Sequence, residues 1–159
     1  MKLTAFTDYS LRVLMYLAAA PDGRATIAEI SEAFDISEHH LTKVVHFLGK
    51  KDWITTSRGR RGGMALARRP DDIVVGRVLR DTEGNAVPAA CFDPAQARCS
   101  IVSCCQLQSV LAEAVESFYA VLDRFTLADI TRNKRVIASV LRMHRRLPER
   151  LSPGTASVS

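Results

Sequence analysis

The chain has 159 residues, 47% of them hydrophobic and 25% charged, which suits one domain, or one compact domain with an arm, of ordinary globular composition. No apolar run reaches the roughly 20 residues needed to cross a bilayer, and a 6% aromatic content with sparse Gly and Pro favours helices over a strand-rich sandwich. The net charge of +5 is modest but concentrated: residues 50–69, KKDWITTSRGRRGGMALARR, carry seven basic side chains and one acid, whereas residues 91–131 are near neutral or acidic.

Thr7 reads as the N-cap of a first helix, with Asp8 in the first turn, where a carboxylate suits the helix dipole. Leu11, Leu14 and Leu17, with Val13 and Tyr16 beside them, give this helix a broad buried face to about Ala20, and PDGR breaks it. LRVLMYLAAAPDG has the outline of a signal peptide, but Asp8, Arg12 and the helical leucine spacing count against one. The expected compartment is therefore the reducing cytoplasm, where stable disulfides do not persist.

Thr26 and Glu29 form a capping box that opens a second helix, with Ile27, Ile30 and Phe34 inside. After the tight turn DIS, Ser37 caps a third helix, EHHLTKVVHFLGK, which buries Leu41, Val44, Val45 and Leu48 and is expected to stop at Gly49. Two short helices joined so tightly read as a helix-turn-helix. WITTS and MALAR then read as strands around the basic turn RGRRGG, with Trp53 packed beneath them. That layout is a winged helix.

A short helix is expected from Asp72 to Leu79. Residues 82–105 show no period, and a loop that long is usually functional or disordered. From Gln106 a helix of about five turns carries one apolar stripe: Leu107, Val110, Leu111, Ala114, Val115, Phe118, Val121, Leu122 and Phe125. Thr126 begins a further short helix, LADI, and Val136, Ile137, Val140 and Leu141 suggest a last one. LSPGTASVS reads as a disordered tail.

On the third helix, Ser37, His39, His40, Thr42, Lys43 and His46 lie off the packing face and can meet base edges or phosphates in a major groove. Arg58, Arg60 and Arg61 sit at the hairpin tip among glycines that let backbone approach closely, a setting for phosphates or a narrow minor groove. Each of these bases alone is an ordinary solvated charge, and a His39–His40 pair is more often surface filler than base reader. Cap, turn, apolar spacing and basic wing together point to double-stranded DNA.

All four cysteines fall within CFDPAQARCSIVSCC, residues 91–105. Cys91, Cys99 and Cys105 are spaced Cys-x7-Cys-x5-Cys, with Cys104 beside the third. Structural zinc sites use shorter knuckles in pairs, and no histidine lies between His46 and His144. Three loop cysteines can wrap an iron–sulfur cluster, and buried free thiols are the plainer alternative. Spacing alone leaves both open. No nucleophile–base pair, phosphate loop or carboxylate dyad marks an enzyme.

Four segments, LTAFTDYSLRVLMYLA, RGRRGGMALAR, CSIVSCCQL and LDRFTLADI, together resemble the nitric-oxide-sensing repressors of the winged-helix iron–sulfur regulator family, which also includes regulators of cluster biogenesis. The resemblance runs from about Met1 to Ile130. It implies Cys91, Cys99 and Cys105 as cluster ligands, because the third is followed by x-Leu at the start of the long helix; Cys104 is an extra that can substitute. The seven-residue first gap is a mild departure. The cluster-biogenesis branch places a ligating histidine three positions after the third cysteine, where this chain has Gln108. The nitric-oxide-sensing branch uses an aspartate in the first helix of the partner subunit, and Asp8 in FTDYSLR stands at the matching place. Without the resemblance Asp8 is a helix-dipole residue; Asp93 and Glu83 are weaker local alternatives.

The implied cofactor is a 4Fe–4S cluster, with 2Fe–2S as the alternative. The implied assembly is a homodimer with its seam along Leu107 to Phe125, presenting two reading helices to an inverted-repeat operator whose half-sites lie roughly 34 Å apart. Nitric oxide would break the Asp8 bridge, release the operator and derepress nitric oxide detoxification genes. A regulator of the same fold answering to iron or oxidation is the runner-up, and a small iron–sulfur redox protein ranks below it. The expected fold is thus mostly α. Residues 1–80 form a winged helix-turn-helix, 81–105 a cluster-binding cysteine loop, 106–147 a dimerisation helix with C-terminal helices, and 148–159 a tail.

Overall fold

The computed structural model describes residues 2–57, 59, 62–84, 89–92 and 99–141. The expected tail and the wing-tip arginines Arg58, Arg60 and Arg61 lie outside the described residues, as does Asp93. The described elements run α1 Ala5–Ala19, β1 Arg24–Ala25, α2 Ile27–Phe34, α3 Glu38–Lys50, β2 Ile54–Ser57, β3 Gly63–Leu66, α4 Val75–Glu83, α5 Gln106–Leu122, α6 Leu127–Ile130 and α7 Lys134–Val140. This is a mostly helical winged helix-turn-helix, as the sequence led us to expect.

The N-cap of α1 is Thr4, not Thr7. Thr4 Oγ1 accepts the Thr7 N–H at 3.2 Å, which places Thr7 inside the first turn. The earlier start brings Phe6 onto the helix, where its ring meets Phe47 edge-on at 5.1 Å. Thr7 is fully buried there and donates to Thr82 Oγ1 at 2.9 Å.

The capping box of α2 forms as read: Thr26 Oγ1 accepts the Glu29 N–H, and Glu29 Oε2 accepts the Thr26 N–H at 2.6 Å. Asp35 closes α2 in the left-handed region, φ 52°. α3 buries Leu41, Val44, Val45 and Leu48 as expected, but Gly49 does not end it. The helix runs one residue further and stops in a Schellman arrangement with Asp52 at φ 56°: the Trp53 N–H reaches the Leu48 carbonyl at 2.9 Å and the Asp52 N–H reaches Gly49 at 3.2 Å.

The wing is an antiparallel sheet of order β1-β3-β2, with Thr55 opposite Ala65 and Arg24 opposite Ala65 from the other side. β1 has no counterpart in the sequence reading. Two residues are too few to show alternation. Gly63 admits this third strand: its φ is +152°, and a Cβ there would lie 2.8 Å from the Ala25 carbonyl oxygen.

The helix expected over Asp72–Leu79 divides into a 3-10 turn at Pro70–Asp72 and α4. Between them Val74 bridges antiparallel to Thr126. The Val75 N–H donates to the Phe125 carbonyl at 2.9 Å, and Ile73 accepts from Leu127 at 2.8 Å. Extended backbone is needed for that bridge, so the helix starts after it.

One core joins α1, α2, α3 and the wing through Val13, Leu14, Leu17, Ile30, Leu41 and Leu48, with Trp53 4% exposed beneath the wing. Leu127 of α6 reaches the same core. α5 is different: none of its residues is buried, and Leu107, Val110 and Val121 are 62%, 60% and 50% exposed. Among the described residues no helix is long and apolar enough to cross a membrane.

Candidate DNA interface and cysteine loop

The core-facing positions of α3 leave Ser37, Glu38, His39, His40, Thr42, Lys43, His46 and Lys50 exposed. The structure therefore leaves Ser37, His39, His40, Thr42 and Lys43 exposed around the N-terminal half of α3. Ser37 also serves the helix: its Oγ accepts the His40 N–H at 3.4 Å and lies 3.1 Å from His40 Nδ1. The Thr42 hydroxyl donates back to the Glu38 carbonyl at 2.7 Å, which leaves its oxygen as an acceptor. Lys43 stands free of those local bonds as an exposed cation. A groove of about 590 Å³ separates α3 from β2, with Thr42, His46, Lys50 and Thr56 among its lining residues.

Arg24 was not foreseen. It projects from β1 beside β3 and donates from Nη2 to Ser57 Oγ at the end of β2. Its basic charge joins the wing by strand pairing, and the only local hint in the sequence is the PDG break before it. Arg68 lies over the Trp53 ring at 5.0 Å, so this wing cation also covers the core.

The cysteine loop leaves α4 at Gly84 and re-enters helix at α5. All four cysteines are free thiols, Cys99 and Cys104 exposed, Cys91 and Cys105 half-buried. Cys91 sits in a 3-10 turn, Ala90–Phe92, and its carbonyl accepts from Gln108 Nε2 at 3.2 Å. Gln108, at the position where the cluster-biogenesis branch places histidine, thus ties the first cysteine to the first turn of α5. Cys104 ends a second 3-10 turn with its thiol 3.5 Å from the Ile101 carbonyl, and Cys105 takes the N-cap position of α5. Among the described residues no three His, Cys, Asp or Glu side chains are gathered closely enough to hold a metal ion. The donor chemistry fits an iron–sulfur cluster nonetheless. Thiolates are its usual ligands, and this loop offers four thiols with no disulfide between them.

Asp8 lies in the first turn of α1, half exposed, with Oδ2 2.9 Å from Arg12 Nη2. Arg12 in turn lies over the Phe34 ring at 5.6 Å. Glu83 is engaged elsewhere: its Oε1 accepts from the Thr4 N–H at 2.9 Å and from Thr4 Oγ1 at 3.2 Å.

One strong polar site joins the helices that flank the loop, and a second caps α6. Arg80 of α4 grips Asp123 at the end of α5 with two bonds, 2.6 and 2.7 Å, and stacks over Tyr119 at 4.5 Å. That hydrogen bonding raises the Arg80 pKa and lowers that of Asp123. Asp129 caps α6 and is held at about 2, first by the Thr126 backbone N–H, then by Arg132 and the Thr126 hydroxyl.

A family model for Rrf2, described as iron-dependent transcriptional regulator, matches residues 3–133. The chain is 45% identical over 146 residues to the HTH-type transcriptional regulator NsrR of Geobacillus kaustophilus, covering 91% of this chain and 99% of that protein. It is 45% identical to NsrR of Bacillus subtilis over 144 residues, or 90% and 99% of the two chains. Among solved structures, T. potens IscR superposes with a TM-score of 0.65 at 28% identity, over 84% of this chain and 88% of that one. CymR, the global cysteine regulator of B. subtilis, gives 0.63 at 26% identity, over 84% and 98%. A reading helix and wing built on one core, a thiol-bearing loop and agreement along nine-tenths of the sequence place this chain in the Rrf2 family of DNA-binding transcriptional regulators.

Proposed function

We propose that the protein is a cytoplasmic homodimeric repressor that senses nitric oxide through an iron–sulfur cluster and is not an enzyme. The observation that carries this is the loop: every cysteine of the chain is a free thiol between α4 and α5, in a protein whose relatives at 45% identity are NsrR regulators. Cys91, Cys99 and Cys105 would hold the cluster, with Asp8 of the partner subunit as the fourth donor and Cys104 as a spare thiol. A bound 4Fe–4S cluster would supply iron to which nitric oxide binds as a ligand. The chain's own residues do the rest.

Asp8 would hold the fourth corner of the cluster, and Arg12 of its own helix, 2.9 Å away, offers the carboxylate a cationic partner when it is not a ligand. α1 packs against α3, which lets a change at Asp8 reach the surface formed by Ser37, His39, His40, Thr42 and Lys43. Arg58, Arg60 and Arg61 would take the adjoining phosphates. The exposed side of α5 would pair with a second copy and set the spacing of two reading helices on an inverted repeat. For such a switch to work, the two states must differ by a few kcal/mol in preference for the operator.

The test is anaerobic purification followed by nitric oxide titration against the DNA upstream of the chain's own gene. A brown protein that bleaches as it releases DNA supports the reading. A colourless protein whose DNA affinity ignores nitric oxide overturns it. The family description, iron-dependent, favours a second reading in which the same loop reports iron supply; DNA binding that follows iron loading but ignores nitric oxide would select it.

A further inference from the structure

Four consecutive side chains in the last turn of α4 reach three different parts of the molecule. Arg80 grips Asp123 of α5. Asp81 accepts from Lys51 Nζ at 3.1 Å through one oxygen and from the Trp53 indole Nε1–H at 2.9 Å through the other. Thr82 accepts from Thr7 and Glu83 from Thr4, both at the start of α1. Successive helical side chains point about 100° apart, so one turn in the middle of the fold can touch every neighbour. Gly84 follows at φ 57°, and the cysteine loop begins there.

Asp81 is the member that reaches the DNA-reading half. Lys51 and Trp53 form the link between α3 and β2, the root of the wing. The Trp53 side chain is buried, so its N–H requires an acceptor. A neutral acceptor would satisfy that need. A carboxylate that also holds Lys51 fixes two points of the wing root to α4 instead of one.

We infer that Asp81 is a positioning residue of the reading head: it fastens the wing root to the turn from which the cysteine loop departs, so that the state of the loop reaches the wing. This rests on the proposal that the loop receives the signal.

The chain provides its own input and readout, because all four cysteines lie in the loop and Trp53 is the single tryptophan. The experiment uses the full chain, 15N-labelled, loaded with cluster and then stripped of iron. It records the indole N–H cross-peak and the affinity for the upstream DNA in both states. In the wild type the indole peak moves between states. In Asp81→Ala, with iron content unchanged, that movement collapses and the loaded-to-stripped affinity ratio falls about five-fold or more toward unity. Asp81→Asn, which keeps an acceptor for the indole, restores part of both.

A static wild-type peak overturns the inference. So does a peak that moves equally in Asp81→Ala, or a variant that loses affinity by the same factor in both states, the mark of a purely structural role. Should Asp81→Ala not fold, Asp81→Asn decides alone: a reduced ratio supports the inference and a wild-type ratio overturns it. Should the wild type take up no iron, the proposed function fails, and alkylation of the loop thiols with N-ethylmaleimide replaces loading. A Trp53 shift in the wild type that Asp81→Asn diminishes then supports the relay, and an unmoved peak overturns it.

Discussion

Gly76 of α4 lies flat against Asp123 at the end of α5. A Cβ at position 76 would collide with Asp123 Oδ1 and come within 3.0 Å of both its Cγ and its backbone nitrogen. The side chain could swing away only by abandoning Arg80, and the backbone cannot swing at all. Gly76→Ala should therefore destabilise the fold by on the order of 1–2 kcal/mol, despite a gain of about 1 kcal/mol in helix propensity. Thermal unfolding checks this, and a variant as stable as the wild type would show that α5 slides freely on α4.

The capping box at the start of α2 holds the helix that braces the reading helix. Thr26→Ala removes the acceptor for the Glu29 N–H and should cost about 1 kcal/mol. Thr26→Ser keeps that acceptor and should cost much less. Denaturant midpoints separate the two.

Asp129 gives an acid-side signature. Its folded value is about 2, below the ordinary 3.8, so the unfolded chain takes up the proton first. The stabilisation is complete above the ordinary value and is lost as pH falls through the window down to about 2. Asp129→Asn should melt lower than the wild type near neutrality, and the gap should close across that window. A gap independent of pH would assign the effect to shape alone.

The bare side of α5 predicts oligomeric state. Val110→Glu or Val121→Glu places a charge on the exposed apolar stripe without touching the core of the single chain. Sedimentation should show a dimer for the wild type and a monomer for either variant. Affinity for a two-half-site duplex should fall much more than affinity for one half-site.

Lys43, proposed to meet DNA from the exposed face of α3, is readily tested. Lys43→Ala should weaken binding to all duplexes alike and reduce the slope of log affinity against log salt by about 1. Loss confined to one base pair of the operator would make Lys43 a base reader instead.

Caps and helix faces set by near neighbours are legible in the chain alone, although the stop of α3, expected at Gly49, falls one residue later. Thr26 and Glu29 are three residues apart and satisfy each other's backbone, and the Leu41, Val44, Val45 and Leu48 spacing marks one face of one helix. The grouping of the thiols between residues 91 and 105 is likewise visible without coordinates. Thr4 and Thr7 mark the boundary of that approach. Both are good caps; in the fold Thr4 takes the cap, and Thr7 is fully buried and donates to Thr82, 75 residues away. Glu83 looks like a spare ligand in the sequence and is engaged by Thr4 across 79 residues. Asp81, which no pattern in the sequence singles out, holds Trp53 across 28. The start of α4 gives way to a bridge with Thr126, and the stripe on α5, expected as a dimer seam, is half-buried along one edge and bare along the other in the single chain. Local hydrogen bonds and helical period are properties of a short segment. Partners brought together by folding compete for the same polar atoms and apolar faces, and which one wins depends on distances that no segment contains.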